Sequence, residues 1–179
     1  TYRFDADSVL GLFILDESGG GVDTLDFSLT TTVGVTVNLG VAGTQVIHPT
    51  NLRLQLNSSA TFENAIGGSG NDILLGNGRN NTLTGNAGND FLAGNSGDDT
   101  LVGRLGDDRY WFGTAPFAEA DVVTEYFNQG TDTLVFSALT TDVNLRLWTN
   151  AVQAVHDNRT LKLNSSATFE NAIGGSGND

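Results

Sequence analysis

Residues 67–111 read GGSGNDILL, GNGRNNTLT, GNAGNDFLA, GNSGDDTLV and GRLGDDRYW, five consecutive units of nine. Gly opens every unit. It returns at the fourth place in all but the second, where Arg79 stands. The sixth place is Asp72, Asn81, Asp90, Asp99 and Asp108, and the eighth is Leu74, Leu83, Leu92, Leu101 and Tyr110. Two Gly within six residues suit a tight turn that needs positive φ, or a backbone passing close to an ion. One large apolar residue at a fixed place means one inward side chain per short strand. The carboxylate falls where the turn ends and the strand begins. A single unit buries nothing, whereas stacked units share a continuous core. A flexible Gly- and Asp-rich linker is the competing reading, and the phase-locked Leu argues against it.

The pattern GGxGxDxUx, with U large and apolar, resembles the calcium-binding nonapeptide of the repeats-in-toxin (RTX) family. That resemblance implies an all-β, right-handed parallel β-roll, with two nonapeptides per turn and Ca²⁺ held between turns on two edges. Sixth-place carboxylates and backbone carbonyls of the Gly-rich loops would supply hard oxygen ligands. The loops concerned are Gly67, Gly68, Ser69 and Gly70; Gly85, Asn86, Ala87 and Gly88; Gly94, Ser96 and Gly97; and Gly103 and Gly106. One edge would stack Asp72, Asp90 and Asp108, giving two ions, between 72 and 90 and between 90 and 108. The other would stack Asn81 and Asp99. That site is expected to be weak or empty, because Asn81 is neutral and Arg79 brings a cation where Gly is wanted. Glu63, nine residues before Asp72, could cap this edge. Asp98 and Asp107, at the variable fifth place, read as solvated. A sixth unit begins at Gly174 and stops at Asp179, an incomplete site.

The flanks repeat at longer spacing. LNSSATFENAIGGSGND occurs at 56–72 and again at 163–179; GVDTLDFS (21–28) matches GTDTLVFS (130–137), and Tyr2-Arg3-Phe4 matches Tyr110-Trp111-Phe112. The organisation expected is a β-rich flank over 1–57, the nonapeptide roll over 58–111, and a second, truncated module over 112–179. DTLDFS, GVTVNL, DTLVFS and DVNLRL alternate apolar and polar and predict short strands. AEADVVTEYF (118–127) is the one helix candidate. The stretch DVVTEYFNQGTDTLVFSAL resembles the strands that follow the nonapeptides in secreted RTX proteases and cover the open end of the roll.

The chain has 21 acids against 8 bases, a formal charge of −13, and no Cys or Met. Such acidity argues against nucleic acid and anionic membrane surfaces and for cations as partners. Absent Cys excludes disulfides and thiolate metal sites. No apolar run is long enough to span a membrane, and TYRF at the start is no signal peptide; a piece of something longer is expected.

No catalytic constellation stands out. His48 and His156 lie in no metalloprotease motif, no GxSxG occurs, and the paired acids fall inside the repeat register. The expectation is therefore no enzyme. Trp111 and Trp148 could stack on sugar, making a carbohydrate-binding module, but core or edge positions are expected for both. The resemblance implies a calcium-driven folding module of a large secreted or surface bacterial protein, an adhesin or scaffold exported by a type I system. The alternative is the calcium-dependent C-terminal domain of a secreted hydrolase. The half-built turn at Asp179 and the strand residues at Thr1–Arg3 raise a calcium-dependent head-to-tail association of chains.

Overall fold

The eighth-place residues Leu74, Leu83, Leu92, Leu101 and Tyr110 are all at most 1 % exposed, and they set the architecture. In a strand the neighbours of an inward residue point outward. Each nonapeptide therefore contributes one inward side chain, then turns and contributes the next from the opposite wall. The computed structural model describes residues 1–126, 129–164 and 169–179. Its strands are β1 (Tyr2–Arg3), β2 (Gly11–Leu15), β3 (Thr24–Asp26), β4 (Thr36–Asn38), β5 (Gly43–His48), β6 (Leu52–Leu56), β7 (Asn64–Ile66), β8 (Ile73–Leu75) and β9 (Thr82–Ala87). They continue with β10 (Phe91–Ala93), β11 (Thr100–Leu105), β12 (Arg109–Trp111), β13 (Glu119–Thr124), β14 (Thr133–Val135), β15 (Gln153–His156), β16 (Arg159–Leu163) and β17 (Asn171–Ile173). Among the described residues there is no helix, and so none long and apolar enough to cross a membrane.

Two long sheets face each other. One runs β1-β3-β7-β9-β11-β13-β16-β15 and the other β17-β14-β12-β10-β8-β4. Every pairing in them is parallel except β15 with β16. Units eighteen residues apart stack in register, Leu74 against Leu92 against Tyr110 in one sheet and Leu83 against Leu101 in the other. The flanks wind in the same way: Leu25 and Ala65 precede Leu83 in its row, and Val123 and Leu163 follow Leu101. The fold is an all-β parallel roll, as the repeat implies.

Fourth-place Gly keeps the turns apart by no more than a backbone. A Cβ on Gly88 would overlap Gly70 O, and one on Gly106 would overlap Gly88 O, and both residues have positive φ (109° and 127°). Arg79 is tolerated because its turn does not adopt that conformation, and its guanidinium reaches Glu63, 3.8 Å away.

The helix expected at 118–127 is overturned. Its described part holds β13, in which Glu119, Asp121 and Val123 are buried and alternate with more exposed neighbours. The period of two and the β-branched pair Val122-Val123 fit a strand, and β11 provides the edge it pairs with.

The duplication seen in the sequence is also one of packing. Tyr2 meets Phe62 edge-on at 5.9 Å, as Tyr110 meets Phe169 at 6.0 Å; Phe4 stacks on Phe27 at 5.7 Å, as Phe112 stacks on Phe136 at 4.9 Å. A separate sheet, β2-β6-β5, corresponds to β13-β16-β15. In both places an antiparallel strand interrupts the parallel winding, and a Gln side chain bridges the gap. Gln45 accepts from Asn38 N–H (2.8 Å) and donates to Asn38 C=O (3.0 Å), and Gln153 does the same for Arg146 (2.8 and 3.1 Å).

Candidate metal centre

The five turns fall into two classes. In 85–90, 94–99 and 103–108 the second residue is left-handed, at Asn86 (φ 86°), Asn95 (φ 74°) and Arg104 (φ 82°); in 67–72 and 76–81 it is not. The sixth-place side chain feels the difference. Asp72 Oδ2 accepts from Gly68 N–H and Oδ1 from Val35 N–H, both at 2.7 Å, and Asn81 Oδ1 accepts from Asn77 N–H at 2.7 Å. In the left-handed turns no such bond forms. Asp90, Asp99 and Asp108 each leave Oδ2 buried with no hydrogen-bond partner.

The remaining oxygens form a ladder along the first edge. Asp72 N–H donates to Asp90 Oδ1 (2.7 Å), Asp90 N–H to Asp108 Oδ1 (2.8 Å) and Asp108 N–H to Asp132 Oδ1 (2.9 Å). Above the ladder, the first-place Gly leaves room for a convergence of oxygens. A Cβ on Gly67 would overlap Asp72 Oδ2 and sit 2.6 Å from Gly85 O, and one on Gly85 would overlap Asp90 Oδ2. A Cβ on Gly103 would overlap Asp108 Oδ2, Glu125 Oε1 and the Tyr110 hydroxyl together. Asp108, Glu125 and Asp132 each bring an oxygen within 4.8 Å of the other two, and all three are buried. Tyr110 O–H donates to Glu125.

Burial without a counter-charge sets the electrostatics. It raises Asp90 to about 8, Asp108 to about 7 and Glu125 to about 8, and Asp72 and Asp132 to about 6. Desolvation is the largest cause in each case, and neighbouring acids add to it at Asp90, Asp108, Glu125 and Asp132. No ion pair among the described residues reaches these five. An oxygen-only, anionic, partly orphaned cradle suits a hard divalent cation, and the donor set fits Ca²⁺.

The second edge is built differently. Asn81 uses its whole amide, with Oδ1 taken by Asn77 N–H and Nδ2 donating to Glu63 C=O (3.1 Å). Glu63 stands in the column below it, and its carboxylate accepts Asp23 N–H (2.9 Å) and lies 3.8 Å from the Arg79 guanidinium. Asn81 N–H donates to Asp99 Oδ1 (2.8 Å) and Asp99 N–H to Asp121 Oδ1 (3.1 Å). Burial raises Asp99 to about 8 and Asp121 to about 7.

Four further placements bear on the sequence reading. Asp98 and Asp107 are exposed, yet they are more than solvated acids: Asp98 Oδ1 accepts Ala120 N–H and Asp107 Oδ1 accepts Thr131 N–H, both at 2.8 Å. Asn71, Asn80 and Asn89 do the same at their fifth places, at 2.8, 3.0 and 3.0 Å, so the variable place carries an outer ladder. Asp179 docks as Asp72 does, with Oδ1 accepting Val143 N–H (3.0 Å) and Oδ2 where a Cβ on Gly174 would be. Trp148 is 73 % exposed, so of the core and edge positions expected for it the core one is excluded.

Glu125, Asp132 and Tyr110 as site residues escaped the sequence reading. A signal for Asp132 was present: Gly130, Asp132 and Leu134 keep the fourth, sixth and eighth places of a nonapeptide, 24 residues after their counterparts where 18 is the rule. Glu125 has no such phase.

Parallel sheets closed by carboxylate-tipped, glycine-rich turns with orphaned oxygens define a calcium-binding β-roll. Residues 66–101 and 75–110 match the RTX calcium-binding nonapeptide repeat family (4 copies), and the array 66–110 is one of hemolysin-type RTX repeats. No curated protein matches the chain.

Proposed function

We propose that this chain is a calcium-responsive folding module of a large secreted or cell-surface bacterial repeat protein, an adhesin or scaffold, whose act is to bind Ca²⁺ and not to catalyse. One observation carries the reading: the buried, unpartnered Oδ2 atoms of Asp90 and Asp108 on one column of acids. An isolated buried carboxylate is costly, and either a proton or a cation must neutralise it. On the first edge Asp72, Asp90, Asp108, Glu125 and Asp132 would hold the ions, together with carbonyls of the Gly-rich turns. A bound cation would supply the charge neutralisation and would be coordinated by these oxygens. The protein supplies oxygens fixed by the ladder of backbone bonds.

Extracellular calcium modules bind at about 10⁻⁴–10⁻³ M. Such a chain stays loose where free calcium is scarce and gains order outside, since binding is linked to folding. That logic suits export before folding, and RTX arrays are typical of secreted bacterial proteins. Two modules on one winding support an extended rod over the hydrolase-tail alternative. The same winding would let chains associate head to tail in calcium, which light scattering at millimolar calcium tests. Calorimetric titration of the wild type and Asp90→Ala tests the module itself. Asp90 is shared by both gaps of the first edge, so its loss lowers the stoichiometry; an unchanged count refutes the assignment.

A further inference from the structure

The two edges end in opposite ways. Beyond Asp108 the first edge meets Glu125 and Asp132, which no ion pair among the described residues reaches. Beyond Asp99 the second edge meets Asp121, Glu119 and the guanidinium of Arg159, which is 2 % exposed. Arg159 Nε donates to Glu119 Oε1 at 2.6 Å and lies 3.3 Å from Asp121 Oδ2; Nη2 also contacts Glu119. The guanidinium carbon sits 5.1 Å over the Phe112 ring. Arg159 Nη1 is buried without a partner, as is Asp99 Oδ2. Both residues line one narrow cleft beside Gly94 that has no room for a water molecule.

The duplication provides an internal control. Glu119 pairs with Arg159 between β13 and β16, where Gly11 pairs with Leu52 between β2 and β6. The polar set therefore stands only where a nonapeptide strand, β11, lies alongside β13 and brings Asp99 with it.

We propose that Arg159 is a tethered cation: beside Asp99 its guanidinium holds the charge-neutralising position that a calcium ion holds beside Asp108. This rests on the calcium reading above. It makes the far end of the second edge independent of solution calcium, and it confines the ions beyond the last nonapeptide to the first edge. Arg suits the role because it stays charged when buried and its planar fork spans two carboxylates.

The test is calorimetric calcium stoichiometry and the calcium midpoint of folding, read by circular dichroism, on the full chain. Asp99→Asn removes the charge that the Arg159 guanidinium answers across the cleft, so the count is unchanged and the midpoint moves several-fold to higher calcium. A count lower by one makes Asp99 a calcium ligand and overturns the proposal. A midpoint moved to lower calcium makes Asp99 an uncompensated charge, and overturns it as well. Arg159→Gln vacates the position and gains one calcium; folding at the wild-type midpoint with an unchanged count shows that the guanidinium neutralises nothing there. A wild type that binds no calcium at all defeats the broader reading instead, so the two failures are distinguishable.

Discussion

The first edge, Asp72-Asp90-Asp108-Asp132, and the second, Glu63-Asn81-Asp99-Asp121, share a backbone and differ in where their charge is settled. Both pass a backbone N–H from each sixth-place residue to the side chain one row on. On the first edge nothing in the described protein answers the negative charge. On the second, an amide replaces one carboxylate at Asn81, and Arg79 and Arg159 stand near others. The repeat specifies geometry, and single side chains decide where charge is answered within the protein.

The comparison breaks most visibly on calcium removal. With a chelator, repulsion along the first edge and the entropy of a Gly-rich chain go unopposed, so residues 66–111 should lose order by circular dichroism. Hydrogen exchange should place the earliest loss at 85–90 and 103–108. An unchanged spectrum would refute the dependence altogether.

The cores should not distinguish the edges. Leu92 and Leu83 are both fully buried, in opposite sheets. Either one changed to Ala should cost about 2–5 kcal/mol in calcium-saturated denaturant titrations, and by similar amounts. A large disparity would mean that the sheets themselves are unequal.

Ligand loss comes next. Asp108→Asn should weaken calcium binding by on the order of tenfold, since affinity in such sites follows ligand charge. Asn81→Asp should do less than restore a second ion, because Asn81 Nδ2 already donates to Glu63 C=O and Asn77.

Acidity should act with opposite signs in the two states. The folded-state values of Asp90, Asp108 and Glu125, about 8, 7 and 8, lie above the ordinary carboxylate range of the unfolded chain. The metal-free fold thus binds more protons than the unfolded chain. It is favoured at low pH and loses that stability as pH rises from about 4 through about 8. Metal-free order should increase from pH 8 to pH 5, while the calcium midpoint moves to higher calcium over the same range as protons compete. Order that falls on acidification without calcium would contradict the burial of these groups.

The smallest expected effect is Tyr110→Phe. It removes the hydroxyl that donates to the largely protonated Glu125 and should cost about 0.5–1.5 kcal/mol. Terbium luminescence should fall at the first edge only.

Much of this was legible in nine residues. Leu92 and Asp90 lie in phase with their neighbours, and phase survives translation along the roll. Asp132 keeps the phase after a six-residue insertion, which a rigid period of nine passes over. Glu125 and Arg159 follow no period. They reach the edges because β13 and β16 continue the winding, a consequence of strand pairing that composition does not encode. The helix candidate at 118–127 failed for the same reason, since the edge of β11 decided its conformation. Trp148 shows the limit of reading burial from residue type.

The carboxamides of Gln45 and Gln153 have a mechanical consequence. Along most of the roll, neighbouring coils are tied by backbone rungs that part only when the adjacent rungs part. Between β5 and β4, Gln45 substitutes for the backbone with two hydrogen bonds from one rotatable side chain, and Gln153 repeats the device. Pulled along its axis, the roll should give way first at these amides, on one wall, while the rungs β3-β7 and β14-β17 of the opposite wall still hold. Each release would loosen one wall while the backbone rungs of the coils between stay shut, so the two amides would behave as a pair of fuses.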